Sequence, residues 1–248
     1  MRYLILSDIH SNLEAFQKCM EMADAKYDQA LCLGDLVGYG PDPNAVIEGV
    51  RQASHIIIRG NHDKACAGIT DAHDFNRFAR LATLWTREQL NVENLSFLLR
   101  LPSGPVALNG FQLVHGSPSD EDEYLFGRES ALPALRSLSL QVVFFGHTHL
   151  QGGFLLTFKG GFARVQGSDA EDGCALVLPL QDGTRYLINP GSVGQPRDGD
   201  WRAAFALYDT EAQVVYFHRT PYNLKEAQDR IFAAKLPARL ATRLAAGR

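Results

Sequence analysis

Five short stretches of this chain carry side chains suited to metal chemistry: Asp8-Ile9-His10, Gly34-Asp35, Gly60-Asn61-His62-Asp63, the lone His115, and Gly146-His147-Thr148-His149. Carboxylates, imidazoles and one carboxamide are donors of intermediate hardness, and no thiolate accompanies them. Such a set suits Mn²⁺, Fe, Zn²⁺, Ni²⁺ or Co²⁺ in a reactive centre better than a structural zinc, which favours cysteine. The donors are too many for one tetrahedral ion and suit two neighbouring ions, an arrangement that clamps the attacking and leaving oxygens of a phosphoryl displacement. In Asp8-x-His10 and His147-x-His149 alternate side chains share one side of an extended segment, and Gly34, Gly60 and Gly146 let the backbone turn tightly beside the ions. Read singly, Asp8 or Asp35 could simply cap a turn, and any one imidazole could be structural. Yet five of the eight histidines fall in these stretches, leaving His55, His73 and His218 as structural residues.

Each stretch follows an apolar, β-rich run: Tyr3–Leu6, Ala30–Leu33, Ile56–Ile58, Phe111–Val114 and Gln141–Phe145. Runs this short without alternation read as buried strands, and binding groups of α/β proteins gather at strand carboxyl ends. The five loops can therefore meet in one crevice. Further strands are expected at Tyr186–Ile188 and Ala204–Tyr208, with hairpins at Lys159-Gly160-Gly161 and at Asp182-Gly183 between Ala175–Leu180 and Tyr186–Ile188. Ser11-Asn12-Leu13-Glu14 has capping-box form and opens a helix toward Ala25. Asp42-Pro43 starts a helix toward Ala53. Helical periodicity also covers Asp74–Gln89, Val92–Leu99, Arg128–Leu138 and Leu224–Leu244, the last interrupted at Pro237. The pattern is α/β (α+β), with enough strands for two packed sheets.

Taken together and in order, the five motifs resemble the full signature of the calcineurin-like metallophosphoesterases, a resemblance spanning about residues 1–195. It implies a four-layer αββα sandwich of two mixed β-sheets flanked by helices, with a dinuclear metal site at the strand ends. It also implies that Asp8, His10 and His149 hold one ion, that Asn61, His115 and His147 hold the other, and that Asp35 bridges them. His62 is implied to face the substrate, stabilising charge on phosphate and protonating the leaving oxygen. The two ions, manganese foremost, would lower the pKa of a bridging water. The Ser/Thr phosphatases of this superfamily carry an Asp-Arg pair after the second motif; here Gly34-Asp35 continues as Leu36-Val37-Gly38-Tyr39-Gly40, against a phosphoprotein substrate.

Composition bounds the partners. The 248 residues, 46% hydrophobic and 21% charged, suit a single domain over 1–248, with a helical cap-like insertion at about 68–103 and a C-terminal helical extension at about 222–248. A net charge of −4 favours neither a nucleic-acid polymer nor an anionic membrane. The amino terminus lacks the long apolar stretch of a secretory signal, and no run spans a bilayer. Cys19, Cys32, Cys66 and Cys174 are scattered, as reduced core thiols are in a cytoplasmic protein. The expected activity is hydrolysis of a small, nucleotide-like phosphodiester. A phosphomonoester or dinucleoside polyphosphate is the alternative substrate, and a non-catalytic metal-binding scaffold the alternative class.

Substrate contacts are read at Asn12, whose helix N-terminus could face phosphate oxygens, and at Arg197, after Asn189-Pro190-Gly191-Ser192-Val193-Gly194. A capping role for Asn12 and a surface ion pair for Arg197 are the plainer readings. Asp120-Glu121-Asp122-Glu123 either rims the crevice, repelling extended polyanions, or is a solvated loop.

Overall fold

In the computed structural model, which describes residues 1–171 and 175–248, the short apolar runs become strands and the amphipathic stretches become helices that cover them. In chain order these are β1 (Arg2–Leu6), α1 (Leu13–Ala23), β2 (Gln29–Cys32), α2 (Pro43–Ala53), β3 (Ser54–Ile57), α3 (Asn61–Cys66), α4 (Arg77–Gln89), α5 (Val92–Arg100), β4 (Val106–Leu108) and β5 (Phe111–Leu113). The chain continues through α6 (Arg128–Ser137), β6 (Val142–Phe144), β7 (Gly152–Leu156), β8 (Phe162–Val165), β9 (Ala175–Pro179), β10 (Arg185–Asn189), β11 (Ala203–Asp209), β12 (Val214–Thr220), α7 (Leu224–Ala233) and α8 (Ala238–Thr242).

Two mixed sheets result. The first runs β3-β2-β1-β11-β12-β9 and the second β4-β5-β6-β10-β7-β8. β1, β2 and β3 are parallel, as are β5, β6 and β10, so the carboxyl ends of each trio open toward the same edge of their sheet. Alternation of side chains then sets the layers. Tyr3, Ile5, Leu31 and Leu33 meet Phe111, Leu113, Phe144 and Ile188 between the sheets. Leu4, Leu6 and Cys32 point the other way, onto Phe16 and Cys19 of α1, Val46 and Val50 of α2, and Ile231 of α7. On the far side Val143 and Leu187 pack on Ala131 and Leu135 of α6. The order is helix, sheet, sheet, helix, with buried Leu, Ile and Phe side chains contributing about 1.5–3 kcal/mol each.

Several local expectations need correction. Ser11 does not cap α1; Asn12 does, its Oδ1 accepting from the Ala15 N–H at 3.2 Å. Ser11 instead sits at φ +53°, and its N–H donates to the Leu36 carbonyl at 2.9 Å, tying the first motif to the second. The long helix begins at Arg77 rather than Asp74, because Asn76 caps it by accepting from Phe78 and Ala79. Asp182-Gly183 is not a hairpin: β9 pairs with β12 in the first sheet and β10 with β6 and β7 in the second. The turn itself forms, Thr184 N–H donating to the Gln181 carbonyl at 3.1 Å, but turn chemistry does not specify which sheet the next strand joins. The Lys159-Gly160-Gly161 turn does join paired strands, β7 and β8. Cys19, Cys32 and Cys66 are buried free thiols; Cys174 lies outside the described residues. Among the described residues no helix is long and apolar enough to cross a membrane.

Sequence reading assigned nothing to Gln151, yet its buried amide fastens the two sheets together. Nε2 donates to the carbonyls of Pro190 (3.0 Å), Phe205 (3.3 Å) and His218 (3.0 Å). Oε1 accepts from Ser168 N–H (2.9 Å) and Arg219 Nε (3.2 Å). Gln151→Leu keeps the volume and strands these partners, so a loss of at least ~1–3 kcal/mol is expected. Thermal unfolding should show it as a midpoint lower by about 2–4 °C per kcal/mol; an unchanged midpoint would contradict the role.

Candidate metal centre

The loops after β1, β2, β3, β5 and β6 bring their motifs together. Ligand-capable atoms of Asp8, His10, Asp35 and His149 all lie within 4.8 Å of one another, as do those of Asp35, His115 and His147. Asp35 belongs to both groups. Its Oδ2 lies 3.6 Å from His10 Nε2 and 3.4 Å from His115 Nε2, while Oδ1 accepts the His62 backbone N–H at 2.8 Å. Asn61 Oδ1 comes within 3.4 Å of His115 Nε2, so the carboxamide joins the second group.

Backbone carbonyls orient the imidazoles. His10 Nδ1–H donates to Val37 (3.0 Å), His115 Nδ1–H to Leu33 (2.8 Å) and His149 Nδ1–H to Gln195 (2.6 Å). Each bond turns the ring's Nε2 inward, as second-shell carbonyls do around metal ligands. His147 is held differently, with Nε2 3.1 Å from the Asp122 carbonyl and its ring stacked on Tyr124 at 3.6 Å.

A cation is what this set of donors fits. Burial drives His10 and His149 well below the ordinary imidazole value, outweighing Asp35, so both are neutral. With Nδ1–H committed to carbonyls, the two Nε2 lone pairs face each other at 3.1 Å. Asp8 Oδ2 and Asp35 Oδ2 are buried with no hydrogen-bond partner. Lone pairs and carboxylate oxygens converging in a dry site are repulsive without a positive charge among them. Burial pushes the Asp8 carboxyl up to about 7. Burial would lower His115 as well, but the Asp35 carboxylate beside it prevails and raises it to about 10. Asp35 in turn is held well below the usual carboxylate range, because His115, His62 and His10 overcome the upward effect of burial.

The backbone is bent to this purpose. Asp8, His10, Asp35, His147 and His149 all have φ between +51° and +64°, a region L-residues with side chains seldom occupy and that costs ~1–3 kcal/mol each. Glycine would relieve that strain but supplies no donor. Where the loops touch, the opposite holds: a Cβ on Gly60 would fall 2.1 Å from Asp35 Oδ1, so only glycine lets the second and third motifs interlock.

The calcineurin-like phosphoesterase family model matches residues 1–151. The chain belongs to this family. As a calcineurin-like phosphoesterase it is a hydrolase of phosphate esters that depends on divalent metals. It is 33% identical over 250 residues to an uncharacterized protein of Methanocaldococcus jannaschii, covering 98% of this chain and 97% of that one. The crystal structure of a metallophosphoesterase from Sphaerobacter thermophilus matches with a TM-score of 0.87 at 38% identity, over 100% of this chain and 99% of the other. The phosphodiesterase YfcE of Escherichia coli is 24% identical over 226 residues, 87% of this chain and 91% of that protein.

His62 lies at the edge of this phosphoesterase cluster, its ring 4.9 Å from His10, 4.5 Å from Tyr39 and 4.5 Å from Phe75. Burial, opposed by Asp35, brings its imidazole down to about 4, and Nδ1 is buried without a partner. Gly38, at φ +89°, makes room for it: a Cβ there would sit 2.6 Å from His62 Nδ1. Gly38→Ala is therefore expected to displace the ring and lower kcat by as much as ~10²-fold. Metal content, read by elemental analysis, should be unchanged; an undiminished kcat would contradict this packing role.

Asn12 and Arg197 are placed differently from one another. The Asn12 side chain is spent within the protein: besides capping α1, its Nδ2 donates to the Gly194 carbonyl at 2.9 Å and the Tyr222 hydroxyl at 3.4 Å. Arg197 is half-buried above Tyr39, its Nη2 donating to Gln195 Oε1 at 3.0 Å and the Tyr39 hydroxyl at 3.4 Å. The acidic run is not a free rim. Arg59 and Lys64 bind Glu121, and Lys64 also binds Asp122, so much of the repulsion read from its charge is cancelled.

Two supports escaped sequence reading. Asp63 accepts from the N–H groups of Leu36 (2.9 Å), Val37 (3.2 Å) and Gly60 (3.0 Å), locking the second motif to the third. Asn189 donates to the Gly146 carbonyl (2.9 Å) and Thr148 Oγ1 (3.0 Å), fixing the last motif. Both stood in quoted motifs; a polar residue beside a glycine-containing turn, Asp63 after Gly60 and Asn189 before Gly191, was the available signal.

Proposed function

We propose that this phosphoesterase hydrolyses a small phosphodiester, using two divalent transition-metal ions of which manganese is the foremost candidate. The observation that carries the reading is Asp35 Oδ2, set between His10 and His115, where one carboxylate can serve both donor groups. Asp8, His10 and His149 complete one group; Asn61, His115 and His147 complete the other. When bound, such a pair supplies a water acidic enough to ionise near neutral pH and a clamp on phosphoryl oxygens.

The chain's own residues do the rest. Leu33, Val37 and Gln195 carbonyls hold the imidazoles in one tautomer, so no reorganisation is needed as charge develops. His62, neutral at rest, presents an N–H donor to the phosphoryl group; an anionic substrate beside it favours its protonated form, which can deliver a proton to the leaving oxygen. Arg197 offers its guanidinium to a non-bridging oxygen. Asn12 positions the first motif rather than touching substrate. Residues 68–103 act as a cap by way of Phe75 against His62, within one domain over 1–248 that ends in the helical extension at 222–248. Preference for a diester leans on YfcE, which is named a phosphodiesterase. The buried free thiols accord with a cytoplasmic setting.

The test is direct. Protein stripped by a chelator and reloaded with Mn²⁺ should hydrolyse bis-p-nitrophenyl phosphate with a higher kcat/KM than p-nitrophenyl phosphate. No hydrolysis of either with Mn²⁺, Fe²⁺, Co²⁺, Ni²⁺ or Zn²⁺ would sink the reading, and a reversed preference would sink the diester part.

A further inference from the structure

Several arginines of this chain are matched to carboxylates: Arg230 of α7 to Asp42 and Glu14, Arg219 to Asp198, Arg59 to Glu121. Beside the metal-ligand cluster two are not. Arg197 and Arg243 have no Asp or Glu side chain at ion-pair distance among the described residues, although the chain carries more acidic than basic groups. Their guanidinium carbons lie 5.7 and 5.9 Å from the centre of one ring, Tyr39, and that ring packs 4.8 Å from His10 and 4.5 Å from His62. Arg197 Nε is buried without a partner. Arg243, just beyond α8, spends only Nε, on the Arg248 carbonyl. Farther out Arg239 lies over the Phe78 ring, also without a carboxylate.

Two cations sharing one aromatic ring repel each other, and each loses hydration by half-burial. Burial and Arg197 together depress the Arg243 guanidinium, against a raising effect of Tyr39. A ring face returns only part of that cost to each cation. An anion within reach of a guanidinium offsets that repulsion, and a planar guanidinium fork matches phosphate oxygens bidentately. One phosphoryl group held at the ligand cluster occupies Arg197. The Nη groups of Arg243, at the same ring, remain for a second anion.

We propose that Arg243, with Arg197 beside it across Tyr39, forms a second anion subsite, so that the substrate carries another phosphoryl group besides the one hydrolysed. This rests on the phosphoesterase reading and narrows its substrate class to esters with two phosphoryl groups, either adjacent in a diphosphate or at separate positions of one molecule.

Calorimetric titration of Mn²⁺-loaded protein with thymidine 5′-phosphate, thymidine 5′-diphosphate and thymidine 3′,5′-bisphosphate tests it. At least one two-phosphoryl ligand should bind about tenfold or more tightly than the monophosphate; which one gains tells adjacent from separate phosphates. In Arg243→Gln the gain should vanish, with thermal unfolding confirming a folded protein. Arg243→Lys, which keeps charge without the fork, should retain part of the gain and serves if the Gln variant does not fold. No gain in the wild type, a full gain in Arg243→Gln, or a full gain in Arg243→Lys where the Gln variant does not fold, overturns the proposal. These titrations need no turnover, so failure of the subsite is distinct from failure to hydrolyse bis-p-nitrophenyl phosphate.

Discussion

Asp35→Asn should empty the centre of metal and abolish turnover. The substitution is nearly isosteric, and the carboxamide oxygen can still accept the His62 N–H that Oδ1 accepts at 2.8 Å. What changes is the other position. An NH₂ group replaces the carboxylate oxygen that lies 3.6 and 3.4 Å from His10 and His115 Nε2, and an amide nitrogen is no ligand for either ion. In the proposed centre, the anion that would neutralise the pair is lost together with the bridge. Bound metal, counted by elemental analysis, should drop from about two ions per chain to fewer than one. Turnover should fall by at least the ~10²–10³-fold that removing one charge-stabilising group costs. A variant that kept two ions and near-normal turnover would refute the bridging role.

His62→Gln should divide the two properties. His62 touches the cluster without belonging to either ligand group, so metal content is expected to persist. Turnover should fall by ~10²–10⁴-fold, the usual loss when a general acid or positioned donor is removed. The loss should depend on the leaving group. p-Nitrophenolate departs without a proton, whereas an alkoxide needs one, so the deficit should be deeper for an alkyl ester of the same phosphate. An equal deficit for both would reduce His62 to a donor for phosphoryl oxygens. Loss of metal with activity retained would reject its placement altogether.

Much of this centre could be read from order and spacing, because each motif is local: a strand, a glycine turn, a donor. Asp8, His10, Asp35, His115, His147 and His149 needed only the rule that such loops share an edge, and the structure gathers all six. The two-sheet architecture was legible for a related reason, since apolar runs buried on both faces demand cover on each side. What could not be read depends on contacts between distant segments. Gln151 bonds to residues 39, 54 and 67 positions away, and nothing near it in sequence marks it. β9 and β10 flank an ordinary turn, yet the choice of sheet lies with β12 and β6. Arg243 follows no motif; its meaning comes from Tyr39, brought beneath it by the fold.

The left-handed turns at Asp8, His10, Asp35, His147 and His149 carry a thermodynamic corollary. At each the chain accepts backbone strain that glycine would avoid, in exchange for a donor that glycine cannot supply. Stability of the empty protein there trades against its capacity to bind a cation.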